Sequence, residues 1–411
     1  MTEILLWAGY FAVFAFLVHK GRSKDAVLSG SVGFGVQAFA YVATYISAVA
    51  LVGFGGLAHA YGLQMLLVAA GNVWFGTWAV YRFLAWPTRK WQERLGARTP
   101  AQLLGLGHGS PSLTRAMAFV FALFLGVYGS AVIKGAALLL AEILPVPVWA
   151  LIWLVAIIVG LTVFIGGLRG VLYTEAMQGV VMLVGMLMLV GAIFSKVGGP
   201  WEGMQALAAL PPSDLANNGF VSLSGGERGL FILSLVVVTS IAVWAQPQMM
   251  QRHFAIADPR QLKKTTPLAM FILTVLVGGA YFAAALSRLI LPEVASPDQV
   301  MPKLVQMLLP EFALHIFVLA IVSASLSTAT GIYHIAVSAL SEDLRGRPSN
   351  RLSWFAGIAI CVLVSGGCAQ IKGQLVALLC TTSWSIVGAT VLVAYVALVR
   401  FGKRSSLAAW I

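Results

Sequence analysis

The sequence predicts an all-α integral membrane protein that crosses the bilayer eleven times. Three observations predict it: an apolar composition, eleven long apolar runs, and basic residues confined to alternate loops. Of 411 residues, 60% are hydrophobic and 10% charged, with a mean hydropathy of +0.91. A soluble globular protein carries roughly 25% charged residues. A soluble fold of this length has nowhere to hide so much apolar surface, whereas lipid solvates it. The net charge of +12 would suggest a nucleic-acid partner in a soluble chain. Here the charges fall almost wholly between apolar runs, so the bilayer is the expected partner and nucleic acid is not.

The apolar runs cover about 3–19, 29–57, 62–83, 113–143, 147–166, 172–195, 229–246, 267–291, 311–341, 353–371 and 374–400. Each can supply the ~20 residues that cross ~30 Å of hydrocarbon at 1.5 Å rise. Runs longer than 25 residues imply tilt, breaks or extension beyond the bilayer. Lys and Arg at the loops after spans 1, 3, 5, 7 and 9 and in the C-terminal tail number 20, against 5 in the opposite loops. Cytoplasmic loops carry the positive excess. The N-terminus is therefore expected outside and the C-terminus in the cytoplasm, in a multi-pass protein of the cell (inner or plasma) membrane.

The first run lacks a basic n-region, and Lys20 and Arg22 follow it, so it reads as a span rather than a cleaved leader. Cys361, Cys368 and Cys380 lie in apolar stretches without metal spacing and read as small packing residues. The chain 1–411 reads as one transmembrane domain. The external stretch 196–228 is rich in Pro, Gly and Ser. The stretch 296–310 is polar and Pro-bounded, a candidate for a short helix on the outer surface.

Four places break the rules for a helix in lipid, and function concentrates at such places. Span 2 reads YVATYISAVALVGFGG from Tyr41, with Gly53, Gly55 and Gly56 in mid-membrane. An unwound turn there would free carbonyls for a small hard cation; a small-residue packing face is the alternative. Span 9 reads IVSASLSTATGIYHIAVSALSED from Ile321. Its hydroxyls can bond their own i−4 carbonyls. Ser327 and Thr328, with the carbonyl of Ala324 one turn earlier, can instead complete an oxygen cage for sodium. Between spans 5 and 6, Gly166 and Gly167 turn the chain and set Glu175 one turn inside the cytoplasmic end, either snorkelling or lining a cation exit path. Lys134 lies inside span 4, where an ammonium costs about 2.5–3.5 kcal/mol by insertion scales. It either snorkels outward or faces an aqueous cavity, attracting an anion or standing in for a bound cation.

Three motifs resemble the sodium/solute symporter family, whose members carry proline, pantothenate, sugars and monocarboxylates. GGLRGVLYTEAMQGVVM from Gly166 is similar to the family's GG-L-x-x-V-x-x-T-D-x-x-Q signature, with Glu175 in place of Asp. QPQMMQRHFAIAD from Gln246 is similar to its Q-P-x-x-x-x-R loop. SLSTATGIYHIAVSALSEDL from Ser325 is similar to its S-T…TEDL helix. The resemblance runs from the first span to about Arg404. It implies a five-plus-five inverted-repeat transporter core preceded by one extra helix, with residues 29–195 as the first repeat and 229–400 as the second. The chain then reads as a short version with a complete core.

The resemblance further implies a sodium site built from the backbone carbonyls of Ala43, Ile46 and Ala324 and the hydroxyls of Ser327 and Thr328. An additional sodium site found in some members would fall at Thr330 and Gly331, where the glycine offers no oxygen, so one sodium is expected. Sugar-binding positions look like Ala50 and Ala69, which cannot hydrogen-bond a polyol. The expected solute is a small carboxylate, amino acid or pantothenate-like molecule. It would lie among spans 2, 3, 4, 7 and 11, lined by Tyr45, Ser47, Tyr128, Lys134, Thr239, Trp244 and Gln246. The reading is a monomeric sodium-coupled importer working by alternating access, and not an enzyme. Its rivals are a proton-coupled carrier in which Lys134 replaces sodium, and a symporter-like sensor domain. Against the sensor, only eleven residues follow Arg400.

Overall fold

The computed structural model describes residues 2–20, 33–165, 168–224, 226–256, 258–291 and 294–402. Gly166 and Gly167 lie outside the described residues, as do 21–32 and the tail 403–411.

The first crossing is α1 (Thr2–Lys20). The second is interrupted. α2 (Phe34–Tyr45) ends at an extended Ile46 (φ −93°, ψ 135°). Helix resumes in a π-helical turn, Val49–Gly53, and continues as α3 (Phe54–Tyr61). Gly62 (φ +74°) then turns the chain. Only glycine fits there, since a Cβ would lie 2.2 Å from the carbonyl oxygen of Phe220. The third crossing runs through α4 (Leu66–Val73) and two π-helical turns into α5 (Trp86–Leu95). α6 (Pro100–Gly107) follows, and then α7 (Pro111–Leu140), α8 (Val148–Ile165) and α9 (Leu168–Val197) make crossings four to six.

α10 (Pro200–Ala208) forms within the Pro-, Gly- and Ser-rich stretch 196–228. The seventh crossing is interrupted like the second. α11 (Gly229–Ser240) leads through a 3₁₀ turn, Ala242–Ala245, to an extended Gln246 and then α12 (Pro247–Phe254). The eighth comprises α13 (Pro259–Leu273) and α14 (Gly279–Leu286). α15 (Val300–Leu308) is the short surface helix expected near 296–310. α16 (Glu311–Ser338), α17 (Arg351–Ala369) and α18 (Val376–Phe401) complete the bundle.

Among the described residues, nine helical stretches are long and apolar enough to cross a membrane, one of them spanning Val49–Leu95. Gly62 divides that stretch into two arms, the first continuing the crossing begun by α2. With α1 the total is the eleven passes expected. Local signals start the helices where the chain enters the bundle. Ser110 accepts from Leu113 N ahead of Pro111, and Asn350 forms a capping box with Ser353. α16 is buried almost all round and touches α2, α7 and α9. Its hydroxyls therefore face protein. The outer helices instead show lipid an apolar surface, with Trp149 on α8 62% exposed and Leu363 on α17 64%.

The interruption in span 2 is not at the glycines. Gly53, Gly55 and Gly56 are helical and sit where neighbours press closest: a Cβ would meet Ala377 N at 2.7 Å, Met301 Cγ at 2.8 Å and Pro297 O at 2.2 Å. Their function is close packing of α18 and the segment 297–308 against this arm, and the chain unwinds seven residues earlier. Gly56→Ala is accordingly expected to destabilise the protein, since a backbone carbonyl cannot rotate out of the way and overpacking costs about 1–3 kcal/mol. The midpoint of thermal unfolding in detergent checks this, with Gly191→Ala, where a Cβ meets nothing within 4 Å, as the neutral control.

Candidate functional site

The interrupted second crossing meets α16 at mid-depth. Thr328 Oγ1 lies 2.9 Å from Ile46 O, 3.2 Å from Thr44 O and 3.3 Å from Ala43 O. A hydroxyl has one proton and donates to one carbonyl at a time, so the group is richer in oxygen than in hydrogen. Ile46 is extended and Tyr45 is the last residue of α2, which turns carbonyls that a continuous helix would have consumed toward α16. The Ser327 hydroxyl is buried without a hydrogen-bond partner among the described residues. Ala324 is fully buried one turn earlier on α16. Three of the five residues proposed from sequence, Ala43, Ile46 and Thr328, thus come together, with Thr44 O as a further oxygen source that was not foreseen, while Ser327 and Ala324 are buried on the same stretch of α16.

Beside the same break is a small central cavity. Tyr45, Ser47, Tyr128 and Thr239 line it, as expected, together with Asn72, Tyr281, Cys380 and Trp384, which sequence reasoning did not select. Tyr45 organises the polar wall: its hydroxyl donates to Asn72 Oδ1 at 2.8 Å or to Thr239 O at 3.0 Å. Trp384 stands edge-on to Tyr128, and its Nε1 is buried without a partner among the described residues. Asn72 had a legible signal, an amide in the middle of an apolar run; Tyr281 and Trp384 had none that separates them from packing aromatics. Among the described residues, no formally charged side chain lines this cavity.

The model of the sodium:solute symporter family matches residues 27–404. This chain belongs to the sodium:solute symporter family. The sodium/pantothenate symporter of Haemophilus influenzae is 27% identical over 347 residues, 80% of this chain and 69% of that protein. The Escherichia coli sodium/pantothenate symporter is 26% identical over 324 residues, 77% of this chain and 65% of that one. The high-affinity proline transporter of Bacillus subtilis is 25% identical over 356 residues, 83% and 71% of the two chains. The fold is similar to that of a Na+-coupled sialic acid symporter solved in a substrate-bound outward-open state, with a TM-score of 0.73 at 14% identity, covering 97% of this chain and 85% of that one. The family and these relatives are transporters, not enzymes.

The remaining site residues of this symporter-family chain lie elsewhere. Lys134 does not reach the central cavity. Its ammonium donates to Gln374 O at 2.7 Å and Ile371 O at 3.4 Å, in the turn between α17 and α18. Those carbonyls offer a charge-assisted partner at the end of the bundle, where the ammonium escapes the apolar interior. Nearby, Asp298 Oδ2 accepts from Val376 N at 3.0 Å. Burial pushes the Asp298 carboxyl above its usual range, with the Val376 N–H and the Lys134 ammonium pulling the other way. Trp244 also misses the cavity, because its Nε1 donates to Phe75 O at 2.7 Å on the third crossing. Gln246 marks the second interruption; it is fully buried, and neither amide atom has a partner among the described residues.

Glu175 pairs with Arg252, joining α9 to α12. Arg252 Nη2 comes within 3.5 Å of where a Cβ on Gly331 would sit, beside Thr44 Cγ2 at 3.9 Å. The ion pair therefore borders the oxygen cluster. The sequence placed Glu175 one turn inside the membrane but did not identify its partner, although Arg252 stood in the quoted motif.

Proposed function

We propose that this chain is a sodium-coupled importer of a small organic solute, working by alternating access as a monomer in the cell membrane with its N-terminus outside. The observation that carries the proposal is the approach of Thr328 Oγ1 to three backbone carbonyls at the break after α2. Carbonyl and hydroxyl oxygens at such a break suit a hard monovalent cation. Sodium would be held by Ala43, Ile46, Ala324, Ser327 and Thr328. Because Tyr45, Ile46, Ser47 and Val49 also line the cavity, cation and solute would stiffen one and the same break, so their coupling would be a shared conformation rather than a contact.

The solute would be a carboxylate, an amino acid or a pantothenate-like molecule, in keeping with the pantothenate and proline relatives. With no charged side chain in the cavity lining, its carboxylate would be held by the N-terminal end of the resumed helix after Ser47. Tyr128, Tyr281 and Trp384 would take its apolar body. Ala50, which lines the cavity, offers a polyol nothing. The residues 29–195 and 229–400 are proposed as inverted repeats, a reading supported by the matching interruptions at Ile46 and Gln246. Engagement of the Lys134 ammonium by two carbonyls argues against its replacing sodium.

One charge crossing 100 mV gives about 2.3 kcal/mol, and a tenfold sodium gradient adds about 1.4 kcal/mol. Together these support roughly 500-fold accumulation of a neutral or zwitterionic solute. The test is uptake into proteoliposomes from a radiolabelled panel of amino acids, monocarboxylates and pantothenate. The best substrate is expected to accumulate only with an inward sodium gradient, and equal entry without sodium removes the coupling.

A further inference from the structure

A second, larger cavity of about 590 Å³ opens at the end of the bundle where α7 begins, among α6, the first turns of α7 and the turn that follows α16. Two arginines line it, Arg115 on α7 and Arg347 in the turn. They approach each other through Gly346, whose φ of +62° shapes that turn and whose Cβ position lies 3.8 Å from Arg115 Nη2. The acidic groups of the same cavity are already engaged. Glu342 accepts from Gln102 Nε2 at 3.1 Å and faces Arg98 at 3.6 Å. Asp343 accepts from Thr99 Oγ1 and from Gln102 Nε2, both at 2.8 Å. Arg115 and Arg347 are exposed, and among the described residues neither has a hydrogen bond or ion pair. The cavity thus presents two free guanidinium groups beside carboxylates whose oxygens are already engaged by Thr99, Gln102 and Arg98.

What extends from it decides the ligand. Arg115 stands one turn inside the spanning helix α7. Phe119 and Leu123 follow at i+4 and i+8, on the same face, 60% and 44% exposed. Leu106 on α6, 50% exposed, lines the cavity itself. A fork of positive charge at headgroup depth therefore continues into an apolar strip running toward the bilayer centre. A free phosphate would use only the fork; a phospholipid uses both.

We propose that this cavity binds the phosphate of an anionic phospholipid, held between Arg115 and Arg347, with an acyl chain laid along Phe119 and Leu123. Guanidinium groups pair phosphate oxygens in a bidentate fashion. Two basic residues near a membrane surface correspond to a roughly 30-fold preference for an anionic over a zwitterionic lipid. The site is remote from the oxygen cluster and the central cavity, so the inference stands whichever solute or ion is carried.

The test is native mass spectrometry of the full chain in detergent, titrated with dioleoylphosphatidylglycerol or dioleoylphosphatidylcholine, with and without inorganic phosphate. The wild type is expected to retain one phosphatidylglycerol at concentrations roughly 30-fold below those needed for phosphatidylcholine. R115Q/R347Q is expected to lose that preference, and Phe119→Ser to weaken retention of both lipids. Equal retention of the two lipids by the wild type, or an unchanged preference in R115Q/R347Q, overturns the proposal. Full displacement by inorganic phosphate at the lipid's own concentration also overturns it, leaving a small-anion site. The circular-dichroism spectrum and uptake of R115Q/R347Q separate a lost site from a misfolded one.

Discussion

Thr328→Val is expected to weaken apparent sodium affinity in uptake by roughly 10- to 100-fold, the loss of a hydrogen-bonding oxygen facing a charge at about 1.5–3 kcal/mol. Valine keeps the branched shape of threonine and removes only the hydroxyl, so packing in the fully buried position is preserved. Thr328→Ser removes the methyl and keeps the oxygen. It is expected to retain most of the affinity. The pair of variants separates coordination from volume. Thr162→Val is the control, because its hydroxyl does no more than bond back to Ile158 O at 2.8 Å within α8. Sodium activation curves of solute uptake in proteoliposomes decide the matter. If Thr328→Val and Thr162→Val share one half-saturating sodium concentration, the cluster around Ile46 is a structural junction and not a cation cage.

The sequence made α16 legible because five hydroxyls within eight residues, Ser323 to Thr330, are costly in lipid unless they face protein. The structure buries every one of them. Span 2 was legible for a different reason from the one that holds. Three glycines suggested unwinding, yet each is occupied by a close neighbour, and glycine composition alone cannot distinguish a missing hydrogen bond from a tight contact. The actual break at Ile46 and Ser47 carries no glycine or proline. Side chains from elsewhere secure it: Thr328 Oγ1 lies among the carbonyls of residues 43, 44 and 46 and donates to one of them at a time, and Ala48 lies against Gly135 of α7, where a Cβ would come within 2.8 Å. Such a break is a tertiary decision. The second interruption did carry a local sign, Pro247 directly after Gln246, which opens α12 as its first residue.

Lys134 shows a further limit of reading along the chain. An ammonium in an apolar run marks an expensive residue, but its partner is set by which turn lies across from it, here residues 371 and 374, more than 230 positions away. Trp244 is similar. An indole next to a break looked suited to a cavity wall, while its N–H is used by the carbonyl of Phe75. In both cases the residue type was informative and its direction was not, because direction depends on how the crossings rotate against one another.

The buried pair of Glu175 and Arg252 gives the second large expected effect. The two side chains are 1% and 10% exposed. Removing one partner leaves an uncompensated charge inside the bundle, at a cost of about 3–5 kcal/mol. Arg252→Gln and Glu175→Gln are therefore each expected to lower the midpoint of chemical or thermal unfolding sharply, whereas E175Q/R252Q, with no charge left to strand, recovers most of the loss. Stability alone would make the pair a strut between α9 and α12. Its position beside Thr44 and Gly331 predicts more. On the proposed exit path, a cation leaving the cluster on that side would pass a carboxylate whose second oxygen has no hydrogen-bond partner among the described residues, and an amide would attract it far less. E175Q/R252Q is thus expected to be stable but slow, with its maximal uptake rate reduced several-fold at saturating sodium while the half-saturating sodium concentration stays near that of the wild type. A double variant that regains stability and full rate together would leave Glu175 a structural group and place the exit route elsewhere in the bundle.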